Sequence, residues 1–68
     1  MSVRFHLNGE PRETAEPRTL AELIEELGLR PEHVAVERNR VLVPRGERAT
    51  ARVEDGDRIE LVTLVGGG

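Results

Sequence analysis

Residues 3–10 read Val-Arg-Phe-His-Leu-Asn-Gly-Glu, and apolar and polar side chains alternate along them up to the Asn-Gly pair. Alternation with a period of two is typical of a strand that has one buried face. Because Asn-Gly tolerates the positive φ angles of a tight hairpin turn, we expect the chain to reverse at residues 8–9. The polar segment that follows, residues 10–16, contains Pro11 and is predicted to be the returning strand at a sheet edge.

A helix is predicted over residues 20–28. Thr19 and Glu22 have the spacing of a capping box, and Gly28 suits the left-handed position that ends a helix. The apolar side chains recur with the spacing of one helix face, and they are Leu20, Leu23, Ile24 and Leu27. A helix this short depends on tertiary packing, so its apolar stripe needs a sheet to cover it.

Further strands are predicted after the helix, at residues 34–38, 41–43 and 58–65, and residues 50–53 are expected to pair briefly. The last strand alternates most clearly: Ile59, Leu61, Thr63 and Val65 share one face, and Glu60, Val62 and Leu64 share the other. The helix supplies the long crossover that a parallel pair requires, so the last strand is predicted to pair parallel to the first in the sheet centre.

This order of elements predicts a two-layer α+β domain of the β-grasp type, as in ubiquitin. We expect a mixed sheet of four to five strands with one helix packed across one face. The chain has 68 residues, which allow one small domain at residues 1–65 and a flexible C-terminal glycine tail at residues 66–68. The small size favours a carrier or a binding module over an autonomous enzyme.

Composition argues against several classes of function. All 10 basic residues are Arg, 13 residues are acidic and the net charge is −3, so nucleic acid is not expected as a partner. No run of 18 apolar residues is present and the N-terminal segment lacks the apolar core of a signal peptide, which predicts a cytoplasmic protein without a membrane span. Cysteine is absent, and two separated histidines predict no metal site.

The glycine tail is the candidate functional element. Gly66, Gly67 and Gly68 carry no side chain, so the tail could thread a narrow slot that any Cβ would block. A terminal carboxylate is ionised at neutral pH and must be activated before it reacts. Without lysine, the chain has no phosphate-binding loop of the G-x-x-x-x-G-K-[ST] type, so a separate enzyme must activate it.

Apolar residues lead into this tail. Val62 and Leu64 are expected on the sheet face opposite the helix, and together with Val65 they are predicted to form a docking patch for a partner. Two interpretations that assign no function to the tail or the patch stay open. A terminal glycine run is often a frayed end, and exposed apolar side chains are a normal part of any protein surface.

Several segments spread along the whole chain resemble the ThiS family of sulfur carriers of thiamine biosynthesis. These segments are Leu7-Asn8-Gly9-Glu10, Thr19-Leu20-Ala21-Glu22-Leu23, Val34-Ala35-Val36-Glu37-Arg38-Asn39, Val43-Pro44-Arg45, Asp55-Gly56-Asp57-Arg58-Ile59-Glu60 and Val65-Gly66-Gly67-Gly68. The most specific feature is the Asp-Gly-Asp-x-Ile-Glu segment followed closely by a terminal Gly-Gly.

The resemblance implies a carrier that is a substrate of other enzymes and binds no cofactor itself. An E1-like adenylyltransferase of the ThiF type would adenylate the carboxylate of Gly68 with ATP and magnesium. A cysteine desulfurase or another sulfur donor would convert this adenylate to a thiocarboxylate, and a thiazole synthase of the ThiG type would take the sulfur. Gly66 and Gly67 would form the threading segment.

Other functions are compatible with the same glycine tail. A carrier for molybdopterin synthesis or tRNA thiolation would differ only in the acceptor enzyme. A ubiquitin-like modifier would instead join Gly68 to a lysine of a target protein, and a plain β-grasp interaction module would not use its tail at all. Asp55 and Asp57 are interpreted as turn residues whose side chains bond to nearby backbone N–H groups rather than as metal ligands.

Overall fold

The sheet is built from short strands whose alternating residues face a single helix. The computed structural model describes residues 2–64. The strands are β1 (Val3–Leu7), β2 (Glu10–Thr14), β3 (Val34–Arg38), β4 (Val41–Leu42) and β5 (Arg58–Thr63), and the helix is α1 (Leu20–Glu26). Single 3-10 turns span Pro31–His33 and Arg45–Glu47.

The strand order within the described residues is β2-β1-β5-β3-β4. β1 pairs antiparallel with β2 and parallel with β5, while β3 pairs antiparallel with both β5 and β4. The predicted parallel pairing of the first and last strands is therefore confirmed, as is the β-grasp architecture with its mixed sheet of five strands and one helix. β5 lies in the centre of this sheet.

The Asn-Gly turn and the capping box both form as predicted. Asn8 and Gly9 adopt φ angles of +50° and +83° between β1 and β2. At the start of α1, the Thr19 hydroxyl accepts from the N–H of Glu22 at 3.1 Å, and the N–H of Thr19 donates to Glu22 Oε1 at 2.8 Å. Each bond satisfies a donor that the first helical turn would otherwise leave without a partner.

Several element boundaries differ from the predictions. β2 ends at Thr14 rather than at residue 16, and α1 ends at Glu26 because Leu27 is the C-cap and Gly28 has already turned to a φ of +73°. Residues 50–53 do pair briefly, as expected, through an isolated bridge between Thr19 and Arg52. β4 is one residue shorter than predicted, ending at Leu42.

The core lies between α1 and the inner face of the sheet. The buried apolar side chains come from every layer, and they are Phe5, Leu7, Leu20, Leu23, Ile24, Val34, Val36, Val43, Val53, Ile59 and Leu61. Ile59 and Leu61 face inward as predicted, but Thr63 is exposed although it follows them on the same side of β5. The packed core therefore ends before the last residue of the strand.

A buried arginine fixes the loops that flank β3. Arg48 is 6% exposed, and its guanidinium donates to the carbonyl oxygens of Pro31 and Val34. Burial, and to a smaller extent the nearby charge of Arg45, lower the pKa of Arg48 below its ordinary value. These two bonds hold the 3-10 turn before β3 against the segment that follows β4.

Candidate functional site

The site is the exit of β5, where the central strand leaves the packed core. β5 ends at Thr63 and does not continue through Leu64 as predicted, but the N–H of Leu64 still donates to the carbonyl oxygen of His33 at 2.6 Å. The predicted site residues Val65, Gly66, Gly67 and Gly68 lie outside the described residues. Val62 and Leu64 are the two predicted site residues that the structure places.

Val62 and Leu64 lie on the sheet face away from the helix, as predicted. Their side chains are 52% and 49% exposed, respectively. Val62 pairs with the half-buried Ala35 of β3, so a strip of small apolar surface runs between the two strands. In the sequence, Leu64 stands two positions before the first of the three terminal glycines. The role of this strip in binding a partner stays a prediction.

Carboxylates border this strip on the same face. Glu37 of β3 lies directly opposite Glu60 of β5. Neither carboxylate takes part in an ion pair among residues 2–64. Like charges directly opposite each other weaken a sheet, so this pair lowers the local stability and leaves negative charge beside the apolar strip.

The turn that leads into β5 is locked by Asp57, which is 7% exposed. Its Oδ2 accepts from Arg38 Nε at 3.0 Å and from the N–H of Glu54 at 2.9 Å, and its Oδ1 accepts from Asn39 Nδ2 at 3.2 Å. These contacts tie the β3–β4 turn to the start of β5. β5 is therefore anchored to the β3–β4 turn by the residue that immediately precedes the strand.

Both aspartates of this turn accept from backbone N–H groups, but only Asp57 uses a local donor as predicted, because the donor to Asp55 lies 51 positions away in the chain. The side chain of Asp57 accepts from Glu54, three residues earlier in the chain, and Asp55 Oδ1 accepts from the N–H of Arg4 at 2.8 Å. Across residues 2–64, no group of three His, Asp or Glu side chains is arranged to hold a metal ion. The turn is a structural device that joins β1 to β5.

Asn8 contacts β5 near its exit in a way that the sequence analysis missed. The N–H of Leu61 donates to Asn8 Oδ1 at 2.9 Å, and Asn8 Nδ2 donates to the carbonyl oxygen of Leu61 at 3.3 Å. The side-chain amide thus pairs with both polar groups of one β5 residue. The Asn-Gly pair predicted only the turn, because its partner lies 53 positions away in the chain.

The comparisons with known proteins agree with this architecture. The model of the ThiS family matches residues 5–68. The chain belongs to the ThiS family. A crystal structure of the thiamine biosynthesis protein ThiS from Geobacter metallireducens superimposes with a TM-score of 0.82 at 32% sequence identity, over 97% of this chain and 100% of that one.

Two kinds of sequence relative carry informative names. The sulfur carrier protein ThiS from Thermus thermophilus is 42% identical over 62 residues, which cover 91% of this chain and 95% of that protein. A thiazole synthase from Magnetococcus marinus is 44% identical over 66 residues, or 97% of this chain. The chain spans only 20% of the length of that thiazole synthase, so a ThiS-like segment forms part of a larger protein there.

The family to which the chain belongs thus includes a relative that is named as a sulfur carrier. In the described part of the chain, no helix is long and apolar enough to cross a membrane.

Proposed function

We propose that this protein carries sulfur for the formation of the thiazole ring of thiamine, as a thiocarboxylate on Gly68. The observation that supports this most directly is the ThiS match over residues 5–68, because it includes the glycine residues as well as the folded body. The ThiS-like segment in a thiazole synthase supports the choice of acceptor, since fused segments often act on one another's substrates.

The first step is activation by a separate enzyme. A carboxylate oxygen of Gly68 attacks the α-phosphorus of ATP, which is bound with magnesium to an E1-like adenylyltransferase, and pyrophosphate leaves. The product is a mixed anhydride whose carbonyl carbon is electrophilic. The carrier contributes the reacting group and the docking surface, and the catalytic residues belong to the enzyme.

The second step loads sulfur. The terminal sulfur of a persulfide on a cysteine desulfurase attacks the activated carbonyl and AMP leaves, which gives an acyl disulfide. A second thiol then cleaves the sulfur–sulfur bond and releases the thiocarboxylate, while the two thiol sulfurs are left joined as a disulfide. Thiazole synthase takes the sulfur from this thiocarboxylate. A cytoplasmic location, where these soluble reactants would meet, stays a prediction.

The proposal is tested by the intact mass of the carrier. Incubation with ATP, magnesium, the E1-like enzyme, a cysteine desulfurase, cysteine and a reducing thiol should raise the mass by the exchange of one oxygen for one sulfur. A variant without Gly68 should fold as the wild type does, because no described core residue is touched, and should show no exchange. The mass of protein isolated from its source must also show that Gly68 carries the free carboxylate.

The alternatives give different products in the same reaction. A covalent adduct with a lysine of another protein would identify a modifier, and an unchanged mass with active partners would identify an inert interaction module. Transfer of the sulfur to molybdopterin synthase or to a tRNA-thiolating enzyme, but not to thiazole synthase, would keep the carrier chemistry and contradict the thiazole assignment. Gly67→Val should leave the fold intact and slow activation, because the new side chain obstructs the threading slot.

A further inference from the structure

The two edges of β5 are paired over different lengths. On the β3 side, pairing continues to the end of the strand, where Thr63 lies opposite Val34. On the β1 side, pairing involves only His6 with Arg58 and Leu7 with Ile59. The second half of the central strand is therefore covered by backbone on one side only.

Asn8 extends the shorter edge by one step. Its side-chain amide bonds to the N–H and the carbonyl oxygen of Leu61, in the place that the next β1 residue would take. The chain then enters the turn, where Asn8 has a φ of +50°, and returns as β2 on the far side of β1. Within residues 2–64, no strand lies opposite Thr63 on this edge.

The backbone of Thr63 points toward this uncovered edge. The carbonyl oxygen of Ile59 accepts from the N–H of Asn8, and both polar groups of Leu61 bond to the Asn8 side chain. Because successive residues of a strand direct their backbone groups to alternate edges, Thr63 shares the direction of Ile59 and Leu61.

The intervening residues confirm the alternation. The carbonyl oxygen of Arg58 accepts from the N–H of Asn39, and the N–H of Leu64 donates to the carbonyl oxygen of His33, so both groups face the β3 side. Thr63 is an exposed residue. It therefore presents one donor and one acceptor on an open strand edge just before the glycine residues begin.

We propose that an extended strand of the activating enzyme pairs with the open edge of β5 at Thr63, an inference that rests on the sulfur carrier function proposed above. Unpaired strand edges are templates for the addition of another chain. Activation acts first on Gly68, and the glycines before it have no side chains to be recognised. Main-chain bonds at Thr63 supply that recognition five positions before Gly68.

The neighbouring side chains suit this partner. Val62 and Leu64 flank Thr63 and point away from the helix, so a strand added at the edge also contacts exposed apolar surface. Recognition through the main chain gives affinity, while these side chains give specificity.

Thr63→Pro removes the N–H that the added strand would bond, and proline is tolerated at an open strand edge. Val62 precedes it in extended conformation, which is the conformation that a following proline favours. Thr63→Val is the matched control, because it changes the side chain and keeps the N–H. Binding of each variant to the activating enzyme is measured by calorimetry, with circular dichroism and thermal unfolding to show that both variants fold.

We expect Thr63→Pro to bind the activating enzyme at least about fivefold more weakly than Thr63→Val, since at least one main-chain hydrogen bond is lost. In wild-type protein, hydrogen exchange of the Thr63 amide should be fast in the free carrier and slow in the complex. The Leu61 amide, already bonded to Asn8, should be slow in both states and serves as the internal reference.

Equal binding of the two variants, or an unprotected Thr63 amide in the complex, would overturn the proposal. Protection by thiazole synthase alone would also overturn it, because the assigned occupant would be wrong. These outcomes are measured by binding and exchange, so they are distinct from failure of the proposed function, which is an absent mass change in the wild-type protein.

Discussion

Asn8 combines two structural tasks at one position. Its backbone adopts the positive φ that the hairpin between β1 and β2 requires, and its side-chain amide bonds to both polar groups of Leu61. Without these bonds, one donor and one acceptor of the central strand would be left for water to satisfy. The residue therefore contributes to the turn and to the exit of β5 at the same time.

Substitution at position 8 should separate these tasks. Asn8→Gly keeps a backbone that tolerates positive φ and removes both side-chain bonds, so we expect a loss of about 1–2 kcal/mol in the free energy of unfolding. Asn8→Ala should lose roughly 1 kcal/mol more, because an alanine resists the left-handed conformation. Urea unfolding of the three proteins measures both steps. If Asn8→Gly unfolds at the same urea concentration as the wild type, the bonds to Leu61 do not contribute.

Asn8 also shows which contacts a single sequence does not predict. The Asn-Gly pair is a local signal, so its turn was predicted correctly, whereas the contact with Leu61 depends on how the whole chain folds. The Arg38–Asp57 bond is similar, since the partners lie 19 positions apart and join two separate turns. Distant side-chain pairs leave no periodic pattern in a single sequence.

At the scale of elements, α1 is the part that the sequence predicted in most detail. The apolar face, the capping box and the left-handed glycine all occur where the pattern placed them. The strands were predicted less completely at their ends. β2 stops at Thr14 because β1, its partner, begins at Val3, and the register pairs these two residues. Strand ends depend on the length of a neighbour that local sequence does not specify.

The helix cap should contribute measurably to stability. Thr19→Ala removes the hydroxyl that accepts from the N–H of Glu22, and we expect it to lower the free energy of unfolding by about 1 kcal/mol. Thr19→Ser keeps the hydroxyl and is expected to stay close to the wild type. Chemical denaturation of both variants at neutral pH gives the comparison, and an unchanged Thr19→Ala variant would show that the cap is energetically neutral.

The contribution of the Glu22 carboxylate to the stability of this helix cap should depend on pH. The bond from the backbone N–H of Thr19 is the main cause that lowers the pKa of Glu22 below its usual value. A group whose pKa is lower in the folded state stabilises the fold when it is ionised. Its contribution is therefore complete above the unfolded-state pKa and is lost as pH falls through the lowered folded-state value.

For the whole molecule, the arrangement of surfaces matters more than any single contact. The candidate docking strip at Val62 and the exposed Val41 of the edge strand β4 are similar apolar side chains, 52% and 66% exposed, in different places. Only the first lies next to the exit of β5. The fold and the exposure of Val62 and Leu64 were predictable from alternation, whereas the open edge at Thr63 required the observed lengths of β1 and β5.

This difference in position yields a paired prediction. Val62→Gln should leave stability within about 0.5 kcal/mol of the wild type, as is usual for surface changes, and slow thiocarboxylate formation at low carrier concentration by about tenfold. Val41→Gln should leave the rate unchanged. Intact mass against time gives the rates. Equal rates for the two variants would contradict the docking role assigned to Val62.

The central position of β5 has a consequence for how the protein is made. During synthesis the hairpin, the helix and β3 leave the ribosome before the strand that must sit between β1 and β3, so the sheet cannot close until residue 63 has emerged. A chain released early lacks its middle strand and has no native fold. A product that stops before Arg58 is thus expected to be unfolded and open to proteolysis, because only a chain that contains β5 can close this sheet.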